Sequence, residues 1–200
     1  VLLIAAGIPW SQLLAAVGLT IPFAALAVYK VGYIQDRIAS WLDPAAHARG
    51  TGFQIMQSLI AIGSGGLTGA GLGQGRQKIF YLPEAHTDMI FPVIAEELGL
   101  LGAMGLIACF GLIFYRGLRI AKQAESTFSQ LLAVGLTFSI CIPASLNLMV
   151  ATGLFPVTGI ALPLVSFGGT ALVTDMLTLG LLAGIPAWST LKTGGNHEMA

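Results

Sequence analysis

The chain is 200 residues long, 56% hydrophobic and only 9% charged, which excludes a soluble globule with a polar skin and predicts an all-α polytopic membrane protein. The formal net charge is zero, so no basic field points to nucleic acid. Cys109 and Cys141 fall inside apolar runs without metal-ligand spacing and read as small hydrophobes, not as a disulfide or a redox pair.

In chain order, positions 1–6 read as the tail of a truncated span, because the sequence opens without Met in the middle of an apolar run. A short turn with an interfacial tryptophan at Trp10 follows, and 11–29 is long enough to cross a bilayer, about 28 Å at the helical rise, with a kink expected at Pro22. Positions 30–88 then hold five of the nine basic residues. Within them, 34–42 predicts a short amphipathic helix ending at Asp43 and Pro44. Positions 53–72 carry Ile55, Leu59 and Ile62 at helical spacing but also glutamines, serines and five glycines, so an interfacial or protein-buried helix followed by a glycine-rich turn is expected rather than a span. Glycine-rich backbone survives at membrane depth only where protein or a watery cavity covers it, which makes 30–88 a large, partly re-entrant loop. The glycines at 69–75 lack the preceding strand and the Gly-Lys-Ser/Thr ending of a nucleotide site.

The next expected span is 92–115. Arg116, Arg119 and Lys122 follow in a short loop and place it in the cytoplasm. Positions 128–150 cross back, with Asn147 facing protein, and 151–163 form a stiff non-helical lid with two prolines and two glycines. Positions 167–188 are the last span, which gives about four complete transmembrane helices plus the truncated one in a single membrane domain over 1–200. Parity puts 30–88 on the extracellular side.

Polar chemistry concentrates in Phe80–Gly99, where four of the nine acids (Glu84, Asp88, Glu96 and Glu97) and one of the three histidines, His86, stand at the mouth of an apolar helix. Pro92 clashes with a carbonyl four residues back, so the regular helix is expected to start near it and to leave Asp88 just outside. An ionisable group at that edge, beside a second acid and a histidine, is a functional-site candidate. The structural alternative makes Glu84 and Asp88 solvated loop acids and has Glu96 and Glu97 suit a helix N-terminus.

Gly71-Leu72-Gly73, Gln77-Lys78 and Tyr81-Leu82-Pro83-Glu84-Ala85-His86-Thr87-Asp88 closely resemble the signature of the SEDS family (shape, elongation, division and sporulation), the FtsW/RodA-type peptidoglycan glycosyltransferases. The Glu-Ala-His-Thr-Asp wording is closest to the FtsW division branch. Pro156-Val157-Thr158-Gly159 and Leu162-Pro163-Leu164-Val165-Ser166-Phe167-Gly168-Gly169-Thr170 resemble the closing motif of the same family. In it, paired glycines allow close helix packing and hydroxyls hold freed backbone groups, with substrate lining as the minority role for Ser166. The resemblance covers roughly 57–184 and implies the C-terminal half of a ten-span protein. Two positions depart from it: Pro92 stands where a small non-proline residue is expected, and Asp175 lies inside the last span where the family more often has an uncharged residue. Asp175 would face the cavity or a partner from the N-terminal half.

The resemblance implies a multi-pass protein of the bacterial cytoplasmic membrane that polymerises lipid II into glycan strands on its outer face during cell division. A glycan hydroxyl attacks an anomeric carbon and undecaprenyl pyrophosphate leaves. Asp88 matches the essential aspartate of the family and is assigned as general base. Glu84 at i, i+4 would supply a like charge if 83–88 is helical, and His86 and Thr87 take positioning roles beside it. Arg76 and Lys78 are the cations nearest in sequence and are assigned to the pyrophosphate. Glu96, Glu97 and Ser166 complete the substrate-binding candidates. No ligand spacing demands a metal, although a divalent cation (Mg or Mn) could ride on the substrate phosphates. A class B penicillin-binding transpeptidase and other divisome membrane proteins are the implied partners, with lipid II, the growing strand and the bilayer itself. A lipid II flippase and a non-catalytic divisome scaffold are the rival functions.

Overall fold

The structure, a computed structural model, describes residues 7–47, 50–75 and 87–195. The expected truncated span at 1–6 lies outside them, as do Arg76, Lys78, Glu84 and His86. Among the described residues the chain is all helical: α1 (Trp10–Lys30), α2 (Gly32–Leu42), α3 (Thr51–Ser64), α4 (Ile90–Gln123), α5 (Thr127–Ala151) and α6 (Gly169–Gly195). Four of these elements, α1, α4, α5 and the 18 residues Gly169–Pro186 of α6, are long and apolar enough to cross a membrane.

The centre of the bundle is the antiparallel pair α4 and α5, joined by a tight turn in which the Ser126 hydroxyl accepts the Ser129 N–H at 3.1 Å and caps α5. Small residues let the two backbones approach. A Cβ added at Gly117 would stand 2.1 Å from Thr137 Oγ1, so the glycine makes the space in which Thr137 is fully buried. Nearby, Phe114 and Phe138 meet edge to face, with ring centroids 5.5 Å apart. Phe91, Ala103, Phe110, Ile140 and Ala144 continue this core towards the end of the bundle that carries Asp88. α6 lies against α5, whereas α1 touches mainly α2 and leaves Leu14, Leu19 and Phe23 exposed.

Three expected features change in the folded chain. The span predicted as one helix from Pro92 is broken at Gly99 (φ 68°, ψ −166°), which separates a short helix, 90–98, from the membrane helix, 100–123. The broken ends would leave donors and acceptors orphaned. The glycine-rich turn after α3 satisfies them: Leu100 and Leu101 donate to the carbonyls of Gly66 and Leu67 at 2.9 and 3.2 Å, and the carbonyls of Glu96 and Glu97 accept from Ala70 and Gly71 at 2.9 and 3.0 Å. Backbone meets backbone there, since a Cβ at Gly65 would lie 2.0 Å from the Ala95 carbonyl oxygen and one at Gly69 2.1 Å from that of Glu97. Glu96 and Glu97 therefore end a short helix and do not open a long one. Pro92 is the third residue of α4, where its missing N–H costs no hydrogen bond.

The second change concerns Gly168 and Gly169. A Cβ at Gly169 would meet nothing within 4 Å, and one at Gly168 only its helical neighbour Ala171 at 3.5 Å. The pair opens α6 and makes no helix-packing contact among the described residues.

A third change is at the other end of α4: Arg116, Arg119 and Lys122, expected in a short loop after 115, lie within the helix, which runs on to Gln123. α2 coincides with the amphipathic helix, and α3 is a protein-buried helix, with Ile55, Ser58 and Ala61 against the bundle, running into the glycine turn. α5 ends in a Schellman arrangement: Gly153 (φ 73°) and Leu154 donate back to Val150 and Met149 at 3.0 and 2.8 Å, and 152–168 is the non-helical lid. α2 and α3 strap this lid down. Arg37 donates from its guanidinium to the Val157 carbonyl and the Trp41 indole donates to Gly153 at 2.8 Å, while the Ser58 hydroxyl donates at 2.5 Å to Ala151, the last residue of α5 before the lid.

Candidate active site

Asp88 sits in the turn 87–89, just before α4, as expected from Pro92. It is 9% exposed, above a buried cluster of Met89, Val93, Ile55, Val150 and Val157. Two carbonyls of the turn are gripped. The Ser166 hydroxyl donates to the Thr87 carbonyl, and the Asn147 amide donates to that of Asp88 at 2.7 Å. The same amide nitrogen donates to Ile160 at 2.7 Å, so one side chain from α5 joins the Asp88 turn to the lid. Two carbonyl acceptors fix which way this amide points. They leave Asn147 Oδ1 buried and without a hydrogen-bond partner among the described residues.

The carboxylate itself is lightly engaged among the described residues. Its Oδ1 accepts from the Thr87 hydroxyl at 3.1 Å, and a Cβ added at Gly159 would stand 3.9 Å from its Oδ2. Gly159 is exposed and has φ 73°, so the lid presents bare backbone beside that oxygen, in a conformation that other residues rarely adopt. Next to the turn opens an apolar cavity of about 610 Å³, bordered by Ile90, Val165, Ser166, Phe167 and Leu172. A buried carboxylate with a held backbone, near an apolar cavity at a helix edge, can accept a proton from a bound hydroxyl.

Of the candidates within the described residues, the structure brings Thr87, Asp88 and Ser166 together. Glu96 and Glu97 lie apart, at the far end of the short helix, roughly 9 Å along its axis from the Asp88 turn. Glu97 accepts the Gly73 N–H at 2.9 Å, and a Cβ at Gly75 would come within 3.0 Å of an oxygen of each acid. Both carboxylates thus face the glycine turn where the chain approaches position 76. Ser166 acts as a clamp, accepting the Leu162 N–H at 2.7 Å while donating to Thr87. Asn147 belongs to the site although only a protein-facing role was expected for it; a lone carboxamide near the end of a membrane helix is the signal that marks it. Asp175 reaches back to the lid, its Oδ2 accepting the Leu164 N–H at 2.9 Å.

The fold and site define a polytopic membrane protein with one held carboxylate at the edge of its helical bundle. The chain belongs to the FtsW/RodA/SpoVE family of cell cycle proteins, whose family model matches residues 1–190. It is 44% identical over 184 residues to a Geobacter metallireducens protein named "Probable peptidoglycan glycosyltransferase FtsW", covering 92% of this chain and 49% of that protein. It is 45% identical over 162 residues to stage V sporulation protein E of Bacillus subtilis, covering 81% of this chain and 44% of that one. Among solved structures it resembles a chain described under the structural coordination of polymerization and crosslinking by a peptidoglycan synthase complex, with a TM-score of 0.69 and 33% identity over 91% of this chain and 50% of that chain. The chain spans about half the length of the relatives it matches.

Proposed function

We propose that the protein is a peptidoglycan glycosyltransferase that polymerises lipid II on the outer face of the bacterial cytoplasmic membrane during cell division, with Asp88 as general base. The observation that carries this reading is the Asp88 turn, in which the Thr87 and Asp88 carbonyls are both clamped and one carboxylate oxygen lies close to the bare backbone of Gly159. In the reaction, a glycan hydroxyl transfers its proton to Asp88 as its oxygen attacks the anomeric carbon of a second lipid-linked sugar. The bond from that carbon to the pyrophosphate breaks, and undecaprenyl pyrophosphate departs. The apolar cavity suits an isoprenoid chain, and a fixed carboxylate reduces the reorganisation needed at the moment of proton transfer. Arg76, Lys78, Glu84 and His86 keep their assigned roles around the phosphates and the base. Thr87 orients the carboxylate, and Ser166 acts through the backbone.

Among the described residues no three metal-ligating side chains gather, so a Mg or Mn ion would enter with the substrate pyrophosphate, and no step is assigned to it. A class B penicillin-binding transpeptidase is the proposed partner. The relative solved as part of a peptidoglycan synthase complex supports that choice. The direct test supplies lipid II to the full-length protein reconstituted with this partner. Glycan strands support the polymerase reading. Translocation of fluorescent lipid II between leaflets with no strands would establish the flippase, and neither activity would point to a scaffold.

A further inference from the structure

Asp175 is a carboxylate inside a membrane helix that the chemistry above does not use. It lies in the second turn of α6, half-buried, and among the described residues its hydrogen bond goes to a backbone N–H, that of Leu164, at 2.9 Å. Leu164 is also the one non-glycine residue with positive φ among those described, at 65°. A leucine adopts that conformation only where its surroundings impose it. The rest of the turn is closed by its own bonds: Val165 and Ser166 donate to the Leu162 carbonyl at 3.3 and 2.9 Å, and the Leu162 N–H donates to the Ser166 hydroxyl at 2.7 Å. That hydroxyl then donates to the carbonyl of Thr87, the neighbour of Asp88.

We propose that Asp175 is a positioning residue for Asp88: its carboxylate holds Leu164 in the left-handed conformation that lets Ser166 clamp the Thr87 carbonyl. The link runs from α6 through one turn of the lid to the Asp88 turn. A carboxylate is the strong acceptor for a backbone N–H that has to offset an unfavourable backbone conformation. The catalytic consequence rests on Asp88 being the base; the backbone link does not.

The test combines amide exchange over 162–168 and 87–91 with polymerisation kinetics, on the full-length protein in lipid nanodiscs. Asp175→Asn keeps an acceptor oxygen, and its exchange and kcat should stay within about threefold of wild type. Asp175→Leu removes the acceptor and should speed exchange about tenfold in both segments, lowering kcat while leaving KM in place. Adding Leu164→Gly to Asp175→Leu should bring both readouts back, since glycine adopts the turn without help. If Asp175→Leu does not assemble, recovery of a folded protein by the double variant reads the same link, and failure of both overturns it. Damage by Asp175→Asn equal to that of Asp175→Leu would show that the charge itself is needed and overturn the proposal. So would faster exchange at 162–168 with none at 87–91. Absence of polymerisation by wild type would defeat the glycosyltransferase reading alone, because exchange still decides the positioning role.

Discussion

Replacing Asn147 with leucine removes one side chain of similar size and, with it, both hydrogen bonds that tie the Asp88 turn to the lid. The amide nitrogen donates to the carbonyls of Asp88 and Ile160 at 2.7 Å each, in a residue only 1% exposed, so water cannot readily replace it. Each bond is worth about 0.5–1.5 kcal/mol net, and two buried carbonyls are left without that donor. Against this, the variant also removes the buried, unpartnered Oδ1 of Asn147, which offsets part of the loss. A net cost of about 2 kcal/mol follows, read as a fall of a few degrees in the apparent melting temperature of the full-length protein. Polymerisation should fall further than stability does, by about tenfold or more, because the lost bonds hold the turn that carries the proposed base. Asn147→Asp is the control. It keeps the shape but replaces the donor with a carboxylate facing two carbonyls, and it should be at least as damaging. Wild-type melting and activity in Asn147→Asp would refute the reasoning, since they would show that the amide donor is dispensable.

Three further substitutions probe the frame around the site. Gly99→Ala places a side chain in a region of backbone space open essentially to glycine, with its Cβ 2.4 Å from the Gly69 nitrogen. It should cost about 3 kcal/mol or more, seen as lost folded protein in detergent-resistance or fluorescence size-exclusion assays. Gly117→Ala drives a Cβ to 2.1 Å from Thr137 Oγ1 and should destabilise by about 1–3 kcal/mol in thermal melts, with partial recovery when Thr137→Ala is added. Gly169→Ala meets open space and should change melting by no more than about 0.5 kcal/mol, whereas a close-packing role for that glycine would make it costly.

Much of this architecture was legible from composition and period. The spans, the buried α3 with its glycine turn, the non-helical lid and the position of Asp88 outside α4 all follow from apolar run length and the placement of proline and glycine. The break at Gly99 was not. Positions 98–115 form an unbroken apolar run, and membrane helices tolerate single glycines, so nothing local marks the break. Its cause is long range: the backbone of 65–71 comes close enough to complete the two helix ends. Glu96 and Glu97 were placed at the wrong end of a helix for the same reason. Asp175 was expected to face the cavity or a partner from the N-terminal half, and among the described residues its partner is the backbone of a leucine whose positive φ no residue type announces. Glycines at Gly168 and Gly169 suggested close packing because small pairs often provide it, yet they begin a helix with room around them among the described residues.

The central claim is that the Asp88 carboxylate performs chemistry and that its surroundings hold it in place. The most direct measurement compares wild type with Asp88→Asn in the full-length protein reconstituted with the proposed transpeptidase, following single-turnover lipid II polymerisation beside lipid II binding and thermal melting. Asparagine keeps the shape and the backbone carbonyl that Asn147 grips, so binding and melting should stay close to wild type. Strand formation should fall by at least about a hundredfold, as expected when a general base is removed. Polymerisation by Asp88→Asn at the wild-type rate would contradict the account.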